Sequence, residues 1–254
     1  FFGPSWMSGR VTDVAIPRGS NDIIYAAAAS GGVWKSGDQG KTWKAVFEHA
    51  ASTSIGDIAI APSDTNIIWV ATGEANIFRS SMAGTGIYKS TDAGKTWKHM
   101  GLNATNTVGR VVVHPENPDV VYVAASGNEW TTNPQRGVFK TTDGGDSWEK
   151  IFYINPAIGA IDLVMDPEDP QTLYTSMWHR IRKRWSDPVP MPGDGIFKTT
   201  DAGKTWRKLE TGLPDDSLTG RIGIDVSPSQ PNIVYAFVDN HHVDTTAEAT
   251  IDSY

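Results

Sequence analysis

The chain has 254 residues, with 22 lysines and arginines against 29 aspartates and glutamates, and its formal net charge is −7. This acidic balance argues against a nucleic-acid partner, because domains that bind phosphate backbones normally carry a basic face. The sequence has no cysteine, which excludes disulfides and cysteine-based zinc sites. It also has no apolar run of the roughly 18 residues that a membrane-spanning helix needs.

In chain order, the first pattern is a hairpin. The stretch "DVAIPRGSNDIIYAAA" (13–28) is an apolar run that ends at a proline, a polar turn, and a second β-rich run with an aromatic residue. Two such runs around a Pro/Asn/Asp turn predict antiparallel strands a and b. The same pattern recurs at 57–72 and in three later segments of the chain.

A nonapeptide follows each of the first four hairpins. The copies are "KSGDQGKTW" (35–43), "KSTDAGKTW" (89–97), "KTTDGGDSW" (140–148) and "KTTDAGKTW" (198–206). They recur with a period of about 50 residues, which indicates a repeat architecture. Before each copy stands a Gly, a β-branched residue and an aromatic, which predicts strand c, and strand d then starts at the tryptophan. Four short antiparallel strands per period are typical of a β-propeller blade.

The repeat predicts an all-β fold and sets the domain organisation. We expect one propeller segment over residues 1–254, with four full blades and the start of a fifth. The expected blades are about 7–50, 51–104, 105–155, 156–213 and 214–254. Since the chain lacks a starting methionine and its fifth unit stops after two strands, we expect a truncated piece of a larger propeller. Further blades or domains of the same polypeptide are then expected beyond Tyr254.

The nonapeptide resembles the Asp-box, Ser/Thr-x-Asp-x-Gly-x-Thr/Ser-Trp, also called the bacterial neuraminidase repeat. That motif occurs in sialidases, xyloglucan-active glycosidases, photosystem-assembly propellers and sortilin-type propellers. Longer segments outside the motif, such as "GPSWMSGRVTDVAIP" (3–17), are most similar to the sortilin-like propellers of large secreted bacterial proteins. The resemblance implies a bacterial protein that is secreted, periplasmic or displayed at the cell surface.

We interpret the nonapeptide as a structural turn. Its Asp suits backbone N–H bonds within the turn, its Gly allows positive φ, and its Trp is expected to pack on the neighbouring sheet. A phosphate-loop interpretation fails on glycine spacing, and a calcium site would lack enough oxygen ligands. The structural residues are Asp38, Gly40, Trp43, Asp92, Gly94, Trp97, Asp143, Gly145, Trp148, Asp201, Gly203 and Trp206.

The candidate binding surface is the face that carries the b–c loops. These loops vary from three residues, "SGG" (30–32), to nineteen (177–195), whereas the a–b and c–d turns of the other face are uniform. Variable loops on a rigid scaffold usually carry function. The ligand-binding candidates here are Arg79, Trp130, Trp178, His179 and Arg180. The alternative is that the tryptophans pin the loops and the charges solvate them.

Strand a adds charged residues near the predicted axis of the propeller: Arg10, Asp57, Arg110, Asp162 and Arg221. Odd offsets from the prolines place them on equivalent faces. Arg10, Arg110 and Arg221 are ligand-binding candidates, similar to the arginine cluster that holds a carboxylate in sialidases. The alternative, which the alternating signs favour, is a belt of ion pairs between blades. His241, His242 and Asp244 form a possible metal triplet, but a solvated loop fits them better, and no metal or cofactor is predicted.

Two functions remain open. The first is a binding or interaction scaffold for protein or glycan, in a secreted or envelope-associated protein, through the b–c loop face. The alternative is a glycoside hydrolase, sialidase-like or xyloglucanase-like, which needs two carboxylates about 5–10 Å apart at the mouth of the propeller. Glu74 and Glu129 are the first candidate pair, and Asp57 and Asp162 the second. An enzyme would show such a pair facing one pocket instead of being paired with arginines.

Overall fold

The computed structural model describes residues 10–76, 81–183 and 188–242. Within these ranges the chain is almost entirely β-structure, and its helices are two single 3₁₀ turns, Asn103–Thr105 and Asp216–Leu218. The all-β prediction and the prediction that no long helix is present are therefore confirmed for this part of the chain. No helix of the described ranges is long and apolar enough to span a bilayer.

Four sheets have four antiparallel strands in the order a–b–c–d, and a fifth has two. Blade one contains β1 (Val11–Ala15), β2 (Ile24–Ala28), β3 (Gly32–Ser36) and β4 (Lys44–Ala45). Blade two contains β5 (Ile55–Ile60), β6 (Ile68–Thr72), β7 (Ile87–Ser90) and β8 (Lys98–His99). Blade three contains β9 (Val108–Val113), β10 (Val121–Ala125), β11 (Gly137–Thr141) and β12 (Glu149–Phe152). Blade four contains β13 (Ile158–Met165), β14 (Leu173–His179), β15 (Gly195–Thr199) and β16 (Arg207–Leu209), and blade five contains β17 (Thr219–Val226) and β18 (Val234–Asn240).

The a–b and c–d turns lie on the same face, as the repeat predicts. In blade two the N–H of Ala93, in the c–d turn, donates to the carbonyl of Asn66, in the a–b turn, at 2.9 Å. Blade three repeats the contact between Gly144 and Asp119 at 3.0 Å. The b–c loops therefore occupy the opposite face of the sheets.

Each c–d turn is closed by its aspartate. In blade two Asp92 accepts the backbone N–H of Thr96 at 2.8 Å, the Thr96 hydroxyl at 2.6 Å and the Ser90 hydroxyl at 2.8 Å. Gly94 lies in the left-handed region, at positive φ, where a side chain would be strained. The equivalent bonds around Asp38, donated mainly by Thr42, lower its pKa to about 2. The interpretation as a structural turn agrees with this geometry.

A lysine on strand c links each of the first three blades to the next. Lys89 lies 4.9 Å above the Trp69 ring of its own blade and donates to the Gly144 carbonyl of blade three at 3.1 Å. This arrangement, here called the lysine clasp, combines a cation–π contact with a hydrogen bond between blades. The other two clasps are Lys35 with Tyr25 and Ala93, and Lys140 with Tyr122 and Ala202.

The tryptophans of the c–d turns are half-buried. The Trp97 indole N–H donates to the Val46 carbonyl of blade one at 2.7 Å, and the ring meets Phe47 edge-on at 5.1 Å. Trp148 makes the same hydrogen bond one blade further on, to Met100 at 2.7 Å. Trp43, in the first blade, donates within its own turn to Gly40.

The hydrophobic core lies in layers between adjacent blades. Buried residues of strand b from one blade pack on strand a of the next, as Tyr25 and Ile58 do between blades one and two. The last described strand, β18, has no blade against it within the described residues. Its Phe237 is 87% exposed, at the position where strand b of earlier blades carries Ala27, Ala71, Ala124 or Ser176.

Candidate functional site

The innermost strands of successive blades, β1, β5, β9, β13 and β17, contact one another around the axis of the propeller. Each contains a bulge in its pairing with strand b. Gly56, at the bulge of β5, tolerates no side chain, because a Cβ there would lie 2.6 Å from the Gly73 carbonyl oxygen. A bulge changes the direction in which the neighbouring side chains of its strand point. In the first four blades the residue directly after the bulge is Asp13, Asp57, Arg110 or Asp162.

These four residues form a charged belt between blades. Aspartates of the belt accept a backbone N–H from the innermost strand of the next blade. Asp57 accepts from Val111 at 2.6 Å, and Asp162 accepts from Ile224 at 3.0 Å. Asp13 bonds Ile58 in the same way at 3.3 Å.

Arg110 is the cation of the belt. Its Nε donates to Asp162 at 2.7 Å, and its Nη1 lies 3.6 Å from Asp57. Burial lowers the pKa of Arg110, but the two carboxylates outweigh it and raise that pKa further above its ordinary value. Asp57 and Asp162 are thus held by Arg110 instead of facing each other across a cleft.

Two of the expected belt residues are placed differently from the other three. Arg10 forms an ion pair with Glu74 of blade two. Arg221 lies within the bulge of β17 and is half-buried; burial lowers its pKa, while the charge of the belt residue Asp162 opposes the fall. Counting back from the proline that ends strand a did not identify Asp13. In blade one this proline, Pro17, comes one position earlier relative to the strand pairing than Pro62 does in blade two. Aligning the blades on the strand b aromatics, Tyr25 and Trp69, would have found it.

On the b–c loop face, two buried arginines join the loops of three blades. Arg180, 1% exposed, donates to the carbonyls of Gly127 and Glu74 at 2.7 and 2.8 Å. Arg136 donates to the carbonyls of Ser126, Asn128 and Thr131 in its own loop, and to the Arg180 carbonyl of blade four at 3.4 Å. Burial lowers the pKa of Arg180 to about 9, because its partners are mostly neutral carbonyls. Arg180, expected on a ligand surface, is thus placed beneath it.

The first candidate carboxylate pair is also largely buried. Glu74 is 2% exposed and is paired with Arg10. Glu129 is 6% exposed, and its Oε2 has no hydrogen-bond partner. Burial raises the pKa of Glu129, while the charges of Arg180 and Arg182 oppose the rise.

The aromatic candidates are placed differently from each other. Trp130 is 51% exposed on the b–c loop of blade three. The sequence analysis predicts Trp178 in an exposed loop, but it lies in β14 and is 6% exposed. The reason is that β14 extends through His179 and pairs with the long strand β13 over that length. His179 is half-buried, with Nδ1 3.2 Å from the Val189 carbonyl oxygen.

Asp194 is a buried carboxyl that sequence reasoning did not single out. It accepts the backbone N–H groups of His179 at 2.7 Å and Met191 at 2.9 Å, which closes the base of the b–c loop of blade four. Burial raises its pKa to about 7. The only signal in the sequence was its place in "PGDG" (192–195), directly before strand c.

Some predicted residues lie outside the described ranges: Arg79, and Asp244 of the possible metal triplet. His241 is 3.0 Å from Asp239. Within residues 10–76, 81–183 and 188–242, no group of three or more His, Asp or Glu side chains is placed to hold a metal ion. The absence of a cofactor remains a prediction.

Sheets arranged as blades, with a charged belt along their innermost strands, define this chain as part of a β-propeller. It belongs to the sortilin–Vps10 family: the family model described as "Sortilin, neurotensin receptor 3" matches residues 31–153 and 85–213.

Curated relatives and solved structures add a second similarity. The chain is 25% identical over 228 residues to the xyloglucanase Xgh74A of Acetivibrio thermocellus, covering 79% of this chain and 26% of the relative. It is 23% identical to a xyloglucanase of Hypocrea jecorina, covering 93% of this chain and 29% of the relative. The chain thus spans about a quarter of the length of these relatives.

Among solved structures, an ancestral GH74 enzyme superimposes with a TM-score of 0.70 at 21% identity, covering 91% of this chain and 28% of the other. The GH74 xyloglucanase of Xanthomonas campestris gives a TM-score of 0.67 at 20% identity, covering 90% of this chain and 35% of the other. At this identity the similarity establishes the propeller fold and nothing finer.

Proposed function

We propose that this part of the propeller binds a glycan through its b–c loop face and does not itself hydrolyse it. One observation carries the proposal: all four candidate carboxylates are engaged or buried. Arg110 holds Asp57 and Asp162, Arg10 is paired with Glu74, and Glu129 lies beneath the surface.

This arrangement disfavours hydrolysis in the described residues. A glycosidase needs two carboxyl groups on either side of the scissile bond, one of them free to give a proton to the leaving oxygen. Asp57 and Asp162 accept backbone N–H groups and Arg110, so moving them would open the contact between innermost strands. These carboxylates therefore fit a role in holding blades together.

Glycan is preferred to protein as the ligand because the curated relatives are xyloglucanases, which are named for acting on a polysaccharide. The exposed Trp130 ring suits a sugar, whose C–H face stacks on an indole. Polysaccharides of this kind are met outside the cell, so the proposal includes a secreted or surface location, in agreement with the resemblance to secreted bacterial propellers.

A glycoside hydrolase is the second candidate, and the same relatives favour it. In that case Glu129 is the better general acid of this face, because burial raises its pKa and keeps its proton available nearer neutral pH. Glu74 would be its partner, after release from Arg10.

We also infer that the four c–d turns are Asp-boxes. The aspartate that accepts the backbone N–H and the hydroxyl of the Ser/Thr four residues later, the glycine at positive φ and the half-buried tryptophan support this assignment. All four copies share these features.

The test uses the purified chain with soluble xyloglucan, mannan and β-1,3-glucan. Affinity electrophoresis measures binding, and a reducing-end assay measures hydrolysis. We expect retardation by at least one polysaccharide without release of reducing ends. Release of reducing ends that Glu129→Gln or Glu74→Gln abolishes would overturn the proposal in favour of the hydrolase, and retardation by none of the three would overturn glycan binding.

A further inference from the structure

We propose that Trp130, Glu129 and Arg182 form one subsite for a neutral, hydroxyl-rich saccharide unit. The inference rests on the proposed glycan binding and assigns it to particular side chains. The flat face of the sugar ring would stack on the indole of Trp130. The sugar hydroxyls would form hydrogen bonds with the Glu129 carboxylate and the Arg182 guanidinium.

The three residues are brought together by backbone contacts between blades three and four. The N–H of Arg182 donates to the Glu129 carbonyl at 2.7 Å. The N–H of Trp130 donates to the Asn128 side chain at 2.7 Å, which fixes the turn that presents the ring. The guanidinium carbon of Arg182 lies 5.9 Å from the Trp130 ring centroid.

Three polar atoms of this cluster have no hydrogen-bond partner among the described residues. Oε2 of Glu129 and both Nε and Nη1 of Arg182 are buried without a hydrogen bond, and no direct ion pair joins these two side chains within the described residues. A buried polar group without a hydrogen bond is destabilising, and more so when it is charged. A ligand that satisfied them would recover part of the lost free energy.

A sugar hydroxyl has the matching chemistry. A carboxylate only accepts hydrogen bonds and a guanidinium only donates them, whereas a hydroxyl does both. Neighbouring hydroxyls of one ring can therefore donate to Glu129 while accepting from Arg182. These atoms lie under the surface, so the Arg182 side chain has to shift along the Trp130 ring when the sugar enters, a change of the size that side chains at binding sites commonly make.

The surroundings favour a rigid site and a neutral ligand. Arg136 and Arg180 hold the loops with hydrogen bonds to carbonyls, which reduces the ordering cost of binding. Glu129 and Arg182 carry opposite charges that offset each other, so the subsite has no net charge that would attract an acidic sugar. A neutral polysaccharide is thus expected to bind more tightly than a uronic acid polymer.

The experiment measures the affinity of the chain for soluble xyloglucan, with polygalacturonate as the acidic comparison. The variants are Trp130→Ala, Glu129→Gln and Arg182→Met. The controls are Tyr153→Ala, a partly exposed aromatic beyond β12, and Lys98→Met, an exposed cation. Arg182→Lys, which keeps the charge, replaces Arg182→Met if thermal unfolding shows that the latter is not folded.

We expect an affinity loss of about tenfold or more for Trp130→Ala and of about three- to tenfold for the two polar variants, with both controls within about twofold. Xyloglucan binding that Glu129→Gln and Arg182→Met leave within about twofold would overturn the subsite but leave the proposed function standing. Tighter binding of polygalacturonate would overturn the neutral class of ligand. Wild-type protein that binds neither polymer would overturn the subsite, and the proposed function would fall with it only if mannan and β-1,3-glucan are not bound either.

Discussion

Asp57, on the innermost strand of blade two, accepts a 2.6 Å hydrogen bond from the backbone N–H of Val111, on the innermost strand of blade three. Adjacent blades are separate sheets, so this N–H has no partner in a strand ladder between them. A buried N–H without a partner is costly, and the carboxylate supplies one. A catalytic candidate of the sequence is thus a structural contact between blades.

Arg110→Met is expected to lower the free energy of unfolding by about 2–3 kcal/mol, because hydrogen bonds to charged groups contribute about 1.5–3 kcal/mol. The variant leaves Asp57 and Asp162 near the axis without their cation. Urea unfolding measures the effect. Arg207→Met, on the exposed outer strand β16, serves as the control. A surface substitution of this kind should stay within about 0.5 kcal/mol. Equal effects of the two variants would contradict the belt.

Lys89→Met tests the lysine clasp, since it removes the cation above Trp69, the hydrogen bond to Gly144 and an ion pair with Asp119 at 3.5 Å. The loss of these three contacts should cost about 1–2 kcal/mol, because the ion pair is partly exposed and adds little. The matched control is Lys98→Met, whose ion pair with Asp146 is solvent-exposed. An exposed pair should contribute less than about 0.5 kcal/mol. Thermal unfolding of the two variants should therefore differ, and indistinguishable transitions would show that the clasp adds nothing to stability.

Trp97→Ala is expected to cost about 2–3 kcal/mol, below the range for a fully buried tryptophan. The ring is half-buried, and the loss comes from its edge-on contact with Phe47 and its hydrogen bond to Val46, both in the preceding blade. The control is Trp97→Phe, which keeps an aromatic ring against Phe47, loses the hydrogen bond to Val46 and should cost about 1 kcal/mol. Chemical denaturation decides the order, and equal losses for the two variants would contradict the packing of this ring between blades.

Asp194 makes stability depend on pH. Its folded pKa of about 7 lies above its ordinary value. The contribution of the protonated carboxyl is therefore complete below its unfolded pKa of about 3.9 and is lost as the pH rises through the folded pKa. The stability of the wild type relative to Asp194→Asn should fall by about 2–3 kcal/mol between about pH 5 and about pH 8. Urea unfolding at both pH values measures this, and a difference that is constant or grows with pH contradicts the buried carboxyl.

The order of strands and turns in this chain could be predicted because the residues that determine them are close together in the sequence. A short segment of the chain specifies each proline-containing hairpin of strands a and b. Another short segment specifies each aspartate turn between strands c and d. Asp92 finds its partners, Ser90 and Thr96, within four positions, so the sequence is sufficient to predict the turn. The regular period of the repeat then arranges these units as blades.

The placement of the candidate site was decided by contacts between blades. Arg10 meets Glu74 on the next blade, and Arg110 joins Asp57 and Asp162, each of which lies on a neighbouring blade. The proline of blade one comes one position early and a bulge separates Arg10 from Asp13, so Asp13 and not Arg10 occupies the position equivalent to Asp57.

The sequence by itself determined the β-strands, the turns and the repeat, since hydrogen bonds between near neighbours and strand alternation fix them. Only the tertiary structure decided which charges are paired, that Trp178 is buried and that Trp130 is exposed. The physical reason is that burial and ion pairing depend on how whole sheets stack around an axis, and a side chain's neighbours there come from residues about one repeat away in the chain.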